Sequence, residues 1–237
     1  MRIVALNASP RGWLGDTHRM IDPFLRSAQH SGATVRRYVV RELRIEPCND
    51  CGACEVTQQC RIDDDMRRLL GEIAEAETLV LAFPLFFGAA PGPLKTIVDR
   101  MRPLLSPESS GASRKRRRTF GPQSVVMVAV STSWDRGRFE PVCSWFRAVA
   151  DELSAEVSGM LLRPHATAWS AMSEDDALAL SITEALEDAG RELVLDGLVA
   201  PESEAIVAAP LIDHDSFVAF LSAVRADAGQ CTTEAVR

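Results

Sequence analysis

The alternation of short apolar segments with segments of helical spacing constrains the fold of this chain most. Five apolar segments have the length and β-branched content of buried strands: residues 2–7, 34–40, 78–83, 124–131 and 157–162. Residues 17–31, 63–76, 93–101 and 138–154 have helical spacing between these strands, and residues 173–194 follow the last one. We expect Ser173 to be the N-cap of that last helix.

This pattern predicts an α/β fold, a three-layer doubly wound five-stranded parallel sheet. Parallel neighbours need crossover connections, which are right-handed and place helices on both faces. Sheets of this type bind ligands beyond the carboxyl ends of their strands. The loops 8–16, 84–92 and 132–136 each follow a predicted strand. We therefore expect these three loops to form one composite site.

Charge and hydropathy exclude two kinds of partner. The formal net charge is −7 and the pI about 5.2, which argues against nucleic acid, because phosphate backbones require a positive surface. We also expect no membrane partner, because no apolar run approaches the roughly 20 residues that span a bilayer. The first residues are strand-like and contain no signal-peptide pattern. We expect a cytoplasmic protein.

Along the 237 residues we predict one domain at 1–199, with a cysteine loop at 44–62, and a C-terminal extension at 200–237. The extension contains one amphipathic stretch, residues 215–224. The basic run at 114–118, RKRRR, is either a solvated insertion or a docking site for an anionic cofactor or partner.

Four cysteines lie within thirteen residues, with the spacing C-x2-C-x2-C-x5-C. They are Cys48, Cys51, Cys54 and Cys60. Four thiolates form a tetrahedral shell, and two-residue gaps are typical of iron–sulfur ligand runs. Zinc sites more often use two separated CxxC pairs. An iron–sulfur cluster, a zinc ion and an empty thiol-rich loop all remain open.

The first loop, NASPRGWLGDT, has the composition of an anion site. It supplies a serine, an arginine, two glycines and a threonine just as a helix begins, and helix N-termini bind anions through their N–H groups. A plain helix cap is the alternative.

The loop after the third strand offers an apolar, aromatic wall for a flat ring or, alternatively, a subunit interface. Three hydroxyl groups and an indole follow the fourth strand, from Ser131, Thr132, Ser133 and Trp134. These residues either belong to a flavin site or form an ordinary loop.

Three segments together resemble the flavodoxin-like NAD(P)H-dependent FMN reductase family. ASPRGWLGDT is similar to its GSPRxxxSNT phosphate loop, PCNDCGACEVTQQCRIDDDM to its CxGCxxC…C…DDM segment, and PLFFGAAPGPLKTIVDR to its PVYFGxxxxxLKxxIDR segment. The cysteine spacing resembles that of the iron–sulfur flavoprotein branch, which carries FMN and a 4Fe-4S cluster in each subunit. The resemblance covers roughly residues 1–103.

The resemblance implies a flavodoxin-like fold and bound FMN. It assigns these residues to the phosphate: Ser9, Arg11, Gly15, Asp16 and Thr17. It assigns these to the isoalloxazine: Pro84, Leu85, Phe86, Phe87 and Gly88, with the loop after the fourth strand. Three residues depart from the pattern, namely Ala8 for Gly, Asp16 for Asn and Phe86 for Tyr. The Asp16 carboxylate would repel a phosphate unless only its backbone N–H faces the ligand.

The first hypothesis for the function is therefore an NAD(P)H-dependent FMN reductase that passes electrons to a quinone, a flavin or another small acceptor. The second is an iron–sulfur flavoprotein that carries electrons between a ferredoxin-type donor and an acceptor. A zinc-stapled ligand-binding protein is a third. We expect a homodimer or homotetramer, because the two phenylalanines in the loop after the third strand would be exposed in a monomer.

Overall fold

The structure is a computed structural model. It describes residues 1–105, 121–173 and 175–234, with side chains described as far as residue 224. The basic run at 114–118 lies outside the described residues.

A single five-stranded sheet forms the middle layer of the described chain. Its strands are β1 (Arg2–Asn7), β2 (Thr34–Val39), β3 (Thr78–Pro84), β4 (Ser124–Val130) and β5 (Glu156–Arg163). All neighbouring pairs are parallel, in the order β2-β1-β3-β4-β5. The predicted flavodoxin-like doubly wound sheet is therefore confirmed. The β4–β5 register shifts at Val125/Val126, where β5 contains an irregularity.

Helices cover both faces of the sheet. They are α1 (Asp16–His30), α2 (Ala53–Thr57), α3 (Met66–Ala74), α4 (Gly92–Asp99), α5 (Glu140–Leu153), α6 (Ala166–Ala171), α7 (Ala177–Leu195), α8 (Pro201–Ala208) and α9 (His214–Glu234). Short 3-10 turns occur at Gly12–Leu14, Val40–Glu42, Arg102–Leu104 and Arg136–Phe139. No helix in the described residues has the length and apolarity needed to cross a bilayer.

Alternate residues of the central strands face two separate cores. Val4 and Leu6 of β1 pack with α3, α4 and α5, whereas Ile3 and Ala5 pack with α1 and α7. Strand β3 is buried on both faces. This explains why the sequence reads as uninterrupted apolar runs, because both faces of a strand in a parallel sheet are covered.

Two predicted helix starts differ from the structure. The helix predicted at 173–194 begins at Ala177, and Asp176, not Ser173, is its N-cap, with Oδ1 accepting from Leu178 N at 2.9 Å. The helix predicted at 63–76 begins only at Met66. The carboxylates of Asp64 and Asp65 accept from backbone N–H groups of the preceding segment, so these acids do not form a first helical turn.

Helices α1 and α7 approach each other most closely at Gly190. A Cβ built on this glycine would lie 2.1 Å from the carbonyl oxygen of Phe24 and 3.1 Å from Ala28 N. The absence of a side chain therefore allows the two backbones to touch and closes one face of the molecule.

The segment after α7 covers the outer edge of β5. Val199 N donates to Ser158 O at 2.7 Å, and the carboxylate of Glu204 on α8 accepts from Met160 N at 2.6 Å. Val207 and Leu211 belong to the second core. These contacts satisfy backbone groups of an edge strand that would otherwise be open to another chain. The division into a domain at 1–199 and an extension at 200–237 stays a prediction.

The guanidinium of Arg163, at the end of β5, is fully buried. It donates to the carbonyl oxygens of Val207 and Ala209, at 2.6 Å each, and burial lowers its pKa to about 10. Its Nη2 also lies 2.9 Å from His165 Nε2, which accepts from Leu211 N at 3.1 Å. Burial and the charge of Arg163 lower the pKa of His165 to about 4, so this imidazole is neutral at physiological pH.

Candidate functional site

The predicted site loops all begin at the carboxyl edge of the sheet. Strands β1 and β3 are neighbours there, although β2 lies between them in sequence. Strand order reverses at this point, and doubly wound sheets bind ligands at such switch points. The structure thus places the loops after β1 and β3 on either side of the switch point, with the loop after β4 adjacent to the latter.

The loop after β1 is held in shape by its own polar groups. Asn7 Nδ2 donates to Gly12 O at 3.1 Å, and Asn7 Oδ1 accepts from Ser9 N at 3.0 Å. Ser9 Oγ accepts from Arg11 N at 3.2 Å. Gly12 has φ 58, a left-handed conformation that favours glycine. The loop is therefore built before any ligand arrives.

The start of α1 has the features of an anion cradle. Gly15 is its N-cap and provides no side-chain cap, so the first N–H groups of the helix lack a side-chain acceptor there. A Cβ on Gly15 would lie 2.6 Å from Ser9 Oγ and 3.1 Å from the Cβ of Arg11. The Thr17 side chain is 1% exposed, and its Oγ1 has no partner among the described residues.

His18 Nδ1 is likewise buried without a partner in the described part of the chain, and the His18 ring contacts Trp13 edge-on. Buried polar atoms are nearly always hydrogen-bonded. Two such atoms on consecutive residues, beside N–H groups at a helix N-terminus, fit the oxygens of a phosphate group.

The two charged residues of the first loop have different environments. The Arg11 side chain is exposed, and within the described residues it forms no ion pair. In contrast, Asp16 Oδ1 accepts a hydrogen bond of 2.7 Å from Ser170 Oγ on α6. The carboxylate that replaces the usual asparagine is thus bound to another helix.

The loop after β3 is a tight turn with two aromatic side chains. Phe86 and Ala89 exchange backbone hydrogen bonds of 3.0 Å around Phe87 and Gly88, which have φ 51 and 74. Phe87 is fully exposed and Phe86 is about half exposed, while Leu85 N donates to Val130 O at 2.8 Å. A bulky residue rarely adopts a positive φ, so Phe87 is held in a strained conformation with its ring in solvent. Pro84 and Leu85, below the turn, are half-buried.

The loop after β4 is fixed by hydrogen bonds to a serine hydroxyl and to a backbone carbonyl. Ser131 Oγ accepts from Ser133 N at 3.0 Å, and Ser133 O accepts from His165 N at 2.9 Å. Thr132 is exposed at the tip. Trp134 stacks on His165 with ring centroids 4.9 Å apart, and it also contacts Phe217 of α9 at 5.8 Å. The indole therefore packs against the C-terminal helices.

The four cysteines border one small cavity of about 20 Å³. Burial raises the pKa of the Cys54 thiol, the nearby Arg102 lowers it, and the neighbouring Cys60 and Cys48 raise it further. The donor type suits an iron–sulfur cluster or zinc, and the thiols are close enough to influence one another. However, no group of three or more His, Cys, Asp or Glu in the described residues is arranged to hold a metal ion. The cluster stays a prediction.

The cysteine loop is anchored by two arginines that follow α4. Arg100 is buried and binds both oxygens of Asp64, at 2.9 and 3.0 Å, and donates to Glu46 O at 2.7 Å. Arg102 pairs with Asp50 at 3.3 Å and with Glu55. Segments before, within and after the cysteines are thus tied to the end of one helix.

Several of these residues escape prediction from the sequence. Asn7 is a polar residue at the end of a buried strand, a signal that could have been recognised. Arg100 and Asp64 are 36 residues apart, and Asp16 and Ser170 are 154 apart, so no local pattern connects either pair.

A protein-family model matches more than half of the chain. The sequence model of the family described as "NADPH-dependent FMN reductase" matches residues 1–161. This region contains strands β1–β4 and almost all of β5, and all the predicted site residues.

Curated relatives match about half of the chain. An "Iron-sulfur flavoprotein" of Archaeoglobus fulgidus is 31% identical over 103 residues, which are 44% of this chain and 46% of that protein. A protein of the same name from Methanosarcina thermophila is 28% identical over 136 residues, 57% of this chain and 65% of that protein. The chain spans about half the length of the curated relatives it matches.

Solved structures share the fold. An NAD(P)H:quinone oxidoreductase from Methanothermobacter marburgensis superposes with a TM-score of 0.59 at 17% identity, covering 81% of this chain and 98% of that one. An FMN-dependent NADH-azoreductase from Bacillus anthracis, solved in complex with FMN, gives 0.58 at 15% identity, covering 82% and 100%. At this identity the likeness establishes the architecture alone.

Proposed function

The chain belongs to the NADPH-dependent FMN reductase family, and on that premise we propose that it is an FMN-dependent oxidoreductase. When bound, FMN would accept a hydride from NAD(P)H and pass the electrons to a quinone, a flavin or another small acceptor. The proposal also places the protein in the cytoplasm, where cysteine thiols stay reduced. It rests on how well the loops at the carboxyl edge fit a phosphorylated flavin.

One observation carries the proposal: at the start of α1, where Gly15 provides no side-chain cap, the buried hydroxyl of Thr17 has no hydrogen-bond partner among the described residues. A phosphate there would accept from this hydroxyl, from the first N–H groups of the helix and from Ser9. The helix dipole also favours negative charge at this end. Arg11 is exposed and has no competing acidic partner among the described residues, so its guanidinium is available to the same anion.

The other two loops would bind the ring. Pro84, Leu85 and the two phenylalanines supply apolar surface that excludes water from it. Gly88 has φ 74 and leaves space for close approach to the backbone. Ser131 and Thr132 would offer polar groups to the ring edge. Trp134 stacks on His165 and contacts Phe217 of α9, so its flavin role is the least supported by the contacts.

Arg11→Ala tests the phosphate assignment. We expect the Kd for FMN to rise by about tenfold to a hundredfold, because a charge-assisted hydrogen bond is lost, whereas the Kd for riboflavin stays unchanged. Quenching of flavin fluorescence measures both constants. Arg26→Ala, which removes an exposed arginine from the middle of α1, is the matched control. Equal weakening of both flavins by Arg11→Ala would exclude a phosphate role.

A second candidate function is supported by the cysteines. Cys48, Cys51, Cys54 and Cys60 border a common cavity, and the curated relatives described above are named iron–sulfur flavoproteins. In this alternative the four thiolates would hold a 4Fe-4S cluster, and the protein would carry electrons from a ferredoxin-type donor. Iron, sulfide and FMN are measured in anaerobically purified protein, and reduction by NAD(P)H is compared with reduction by ferredoxin. Fast reduction by ferredoxin alone, with four irons per chain, would favour the carrier.

We also propose a homodimer or homotetramer. Phe87 is fully exposed, Phe86 is half exposed, and Trp13 and Leu14 of the first loop are exposed at the same edge. Apolar side chains gathered at one edge favour coverage by a second subunit.

A further inference from the structure

The residue at the first position of α1 presents a problem for the phosphate site. Asp16 follows the N-cap Gly15 directly and puts a carboxylate beside the N–H groups of the cradle. A carboxylate suits the positive end of a helix dipole as well as a phosphate does, so the two anions would compete for the same groups. They would also repel each other, strongly so in a partly buried site. The cradle binds a phosphate well only if the carboxylate is held elsewhere.

Helix α6 provides a group that does this. Ser170 Oγ donates to Asp16 Oδ1 at 2.7 Å, and both residues are partly buried. No backbone N–H of the first loop donates to the Asp16 carboxylate in the described structure; Ser9 N and Arg11 N use Asn7 and Ser9 instead. The carboxylate is therefore bound by a hydroxyl of α6. This helix follows the edge strand β5, whereas Asp16 follows β1.

The surroundings of Ser170 fix its position. The preceding residue, Trp169, is fully buried in the second core, and the Arg19 guanidinium lies 4.5 Å from the centroid of its ring. Arg19 is one helical turn after Asp16. Two successive residues of α6 thus contact two residues on one side of the first turn of α1, and the buried tryptophan holds the backbone of Ser170 in place.

From these contacts we propose that Ser170 is a positioning residue, which keeps the Asp16 carboxylate out of the anion cradle and thereby sets the preference for a phosphorylated over an unphosphorylated flavin. The inference rests on the proposed function, because it needs a phosphate in the cradle. Ser170 acts through Asp16 and need not touch the flavin.

The test compares binding of FMN with binding of riboflavin, measured by fluorescence quenching with apoprotein. For Ser170→Ala we expect the Kd of FMN to rise about three- to tenfold while the Kd of riboflavin is unchanged. Ser170→Thr keeps the hydroxyl and should keep the native ratio of the two dissociation constants. The double variant Asp16→Asn/Ser170→Ala should restore FMN binding, because the repelling charge is gone. High salt should reduce the effect of Ser170→Ala, because ions screen the repulsion.

A matched control separates this role from a loss of stability. Ser216→Ala removes the same kind of bond, from Ser216 Oγ to Asp213 at 2.6 Å, on the exposed start of α9. This variant should leave the ratio of the Kd of FMN to the Kd of riboflavin unchanged. If Ser170→Ala weakens both flavins equally, or if Asp16→Asn fails to rescue it, Ser170 only joins two helices and the proposal is wrong.

A second pair of variants decides the question should Ser170→Ala not fold. Asp16→Glu keeps the charge but displaces it from Ser170, whereas Asp16→Gln has the same length without charge. We expect Asp16→Glu to lower the affinity for FMN relative to that for riboflavin, and Asp16→Gln to retain or raise this relative affinity. Equal relative affinities in the two variants would overturn the proposal. Native protein that binds neither flavin would instead contradict the proposed function itself.

Discussion

At the scale of single residues, the Arg100–Asp64 pair joins the cysteine loop to the sheet-covering helices. The two side chains are 1% and 8% exposed. Burial alone would raise the pKa of Asp64, but hydrogen bonds from Arg100, Glu46 N and Met66 N outweigh it and lower the pKa. Breaking one partner of a buried pair leaves the other charge uncompensated, which costs about 3–5 kcal/mol.

We therefore expect Asp64→Asn to destabilise the protein by several kcal/mol at neutral pH. Since the folded-state pKa lies below the unfolded value of about 3.9, the stabilisation by this carboxylate is fully present above that value and is lost as the pH falls below it. Urea titrations at a series of pH values measure the free energy of unfolding. The difference between native protein and variant should shrink in acid. Asp63→Asn, at an exposed neighbour, should show little loss at any pH.

Gly15 is a second residue with a sharp steric requirement. Gly15→Ala places a methyl group 2.6 Å from Ser9 Oγ and 3.1 Å from the Cβ of Arg11, so the Ser9 side chain or the first loop must shift. We expect a loss of about 1–3 kcal/mol in unfolding free energy and weaker FMN binding. Gly71→Ala on α3, where the added methyl group meets no atom within 4 Å, should leave the protein equally or slightly more stable. Normal FMN binding by Gly15→Ala would show that the cradle tolerates a side chain there.

At the scale of secondary structure elements, the contact of α1 with α7 depends on Gly190. A methyl group on Gly190 would overlap the Phe24 carbonyl, a backbone group that cannot rotate away. The two helices must separate, and the second core, with Phe24 and Leu186 at its centre, must open. The chain thus has little freedom in how this face is closed.

We expect Gly190→Ala to lose at least about 1–3 kcal/mol, which for a chain of this size lowers the Tm by roughly 2–4 °C per kcal/mol. Thermal unfolding followed by circular dichroism measures the change. Glu187→Ala, an exposed position on the same helix, is the control and should shift the Tm by little. A Tm for Gly190→Ala equal to the native value would show that α7 can slide on α1.

The elements could be predicted from the sequence to the extent that their patterns are local. Strands β1, β3 and β4 are almost entirely buried and apolar, so their runs are clear in the sequence, and the bounds of all five strands differ from the predicted ones by at most one residue at either end. The helices α2 and α6 were not predicted because, with five and six residues, they are shorter than two turns. Helix α8 was not predicted because it has no apolar stripe: Ser203 is buried whereas Ile206 is exposed. Ser173 was wrong as an N-cap because Asp176, three residues later, provides an equally good cap.

The site could be predicted only where its residues lie in one loop. The strand ends and the first loop were found because glycines, a serine and a threonine cluster before a helix. The partners from distant elements, such as Ser170 for Asp16 and Arg100 for Asp64, follow from tertiary packing and have no sequence signal. Similarly, nothing local indicates that Trp134 stacks on His165.

At the scale of the whole molecule, exposed apolar groups gather at the carboxyl ends of the strands, whereas the lateral edge of β5 is covered by the segment after α7. Phe87 holds a positive φ with its ring in solvent, a conformation that costs on the order of 1–3 kcal/mol. Burying a phenylalanine ring against another surface stabilises by roughly 1.5–3 kcal/mol, enough to offset this cost. Contact with a second subunit would therefore make the conformation favourable.

We accordingly expect Phe87→Asn to weaken self-association, because it removes the apolar ring but keeps a residue that tolerates a positive φ. Sedimentation equilibrium measures the association constant, and circular dichroism checks that the fold is retained. Leu195→Ser, at an exposed apolar position at the end of α7, is the control and should associate as the native protein does. Unchanged association of Phe87→Asn would place the subunit contact elsewhere.

The buried guanidinium of Arg163 has a consequence for the order of events during translation. Its acceptors at Val207 and Ala209 are 44 and 46 residues further along the chain. While the ribosome is still adding those residues, the end of the last strand holds a cation with one acceptor already made, Pro164 O, and two that do not yet exist. The end of the final strand can therefore reach its mature environment only after synthesis has passed residue 209.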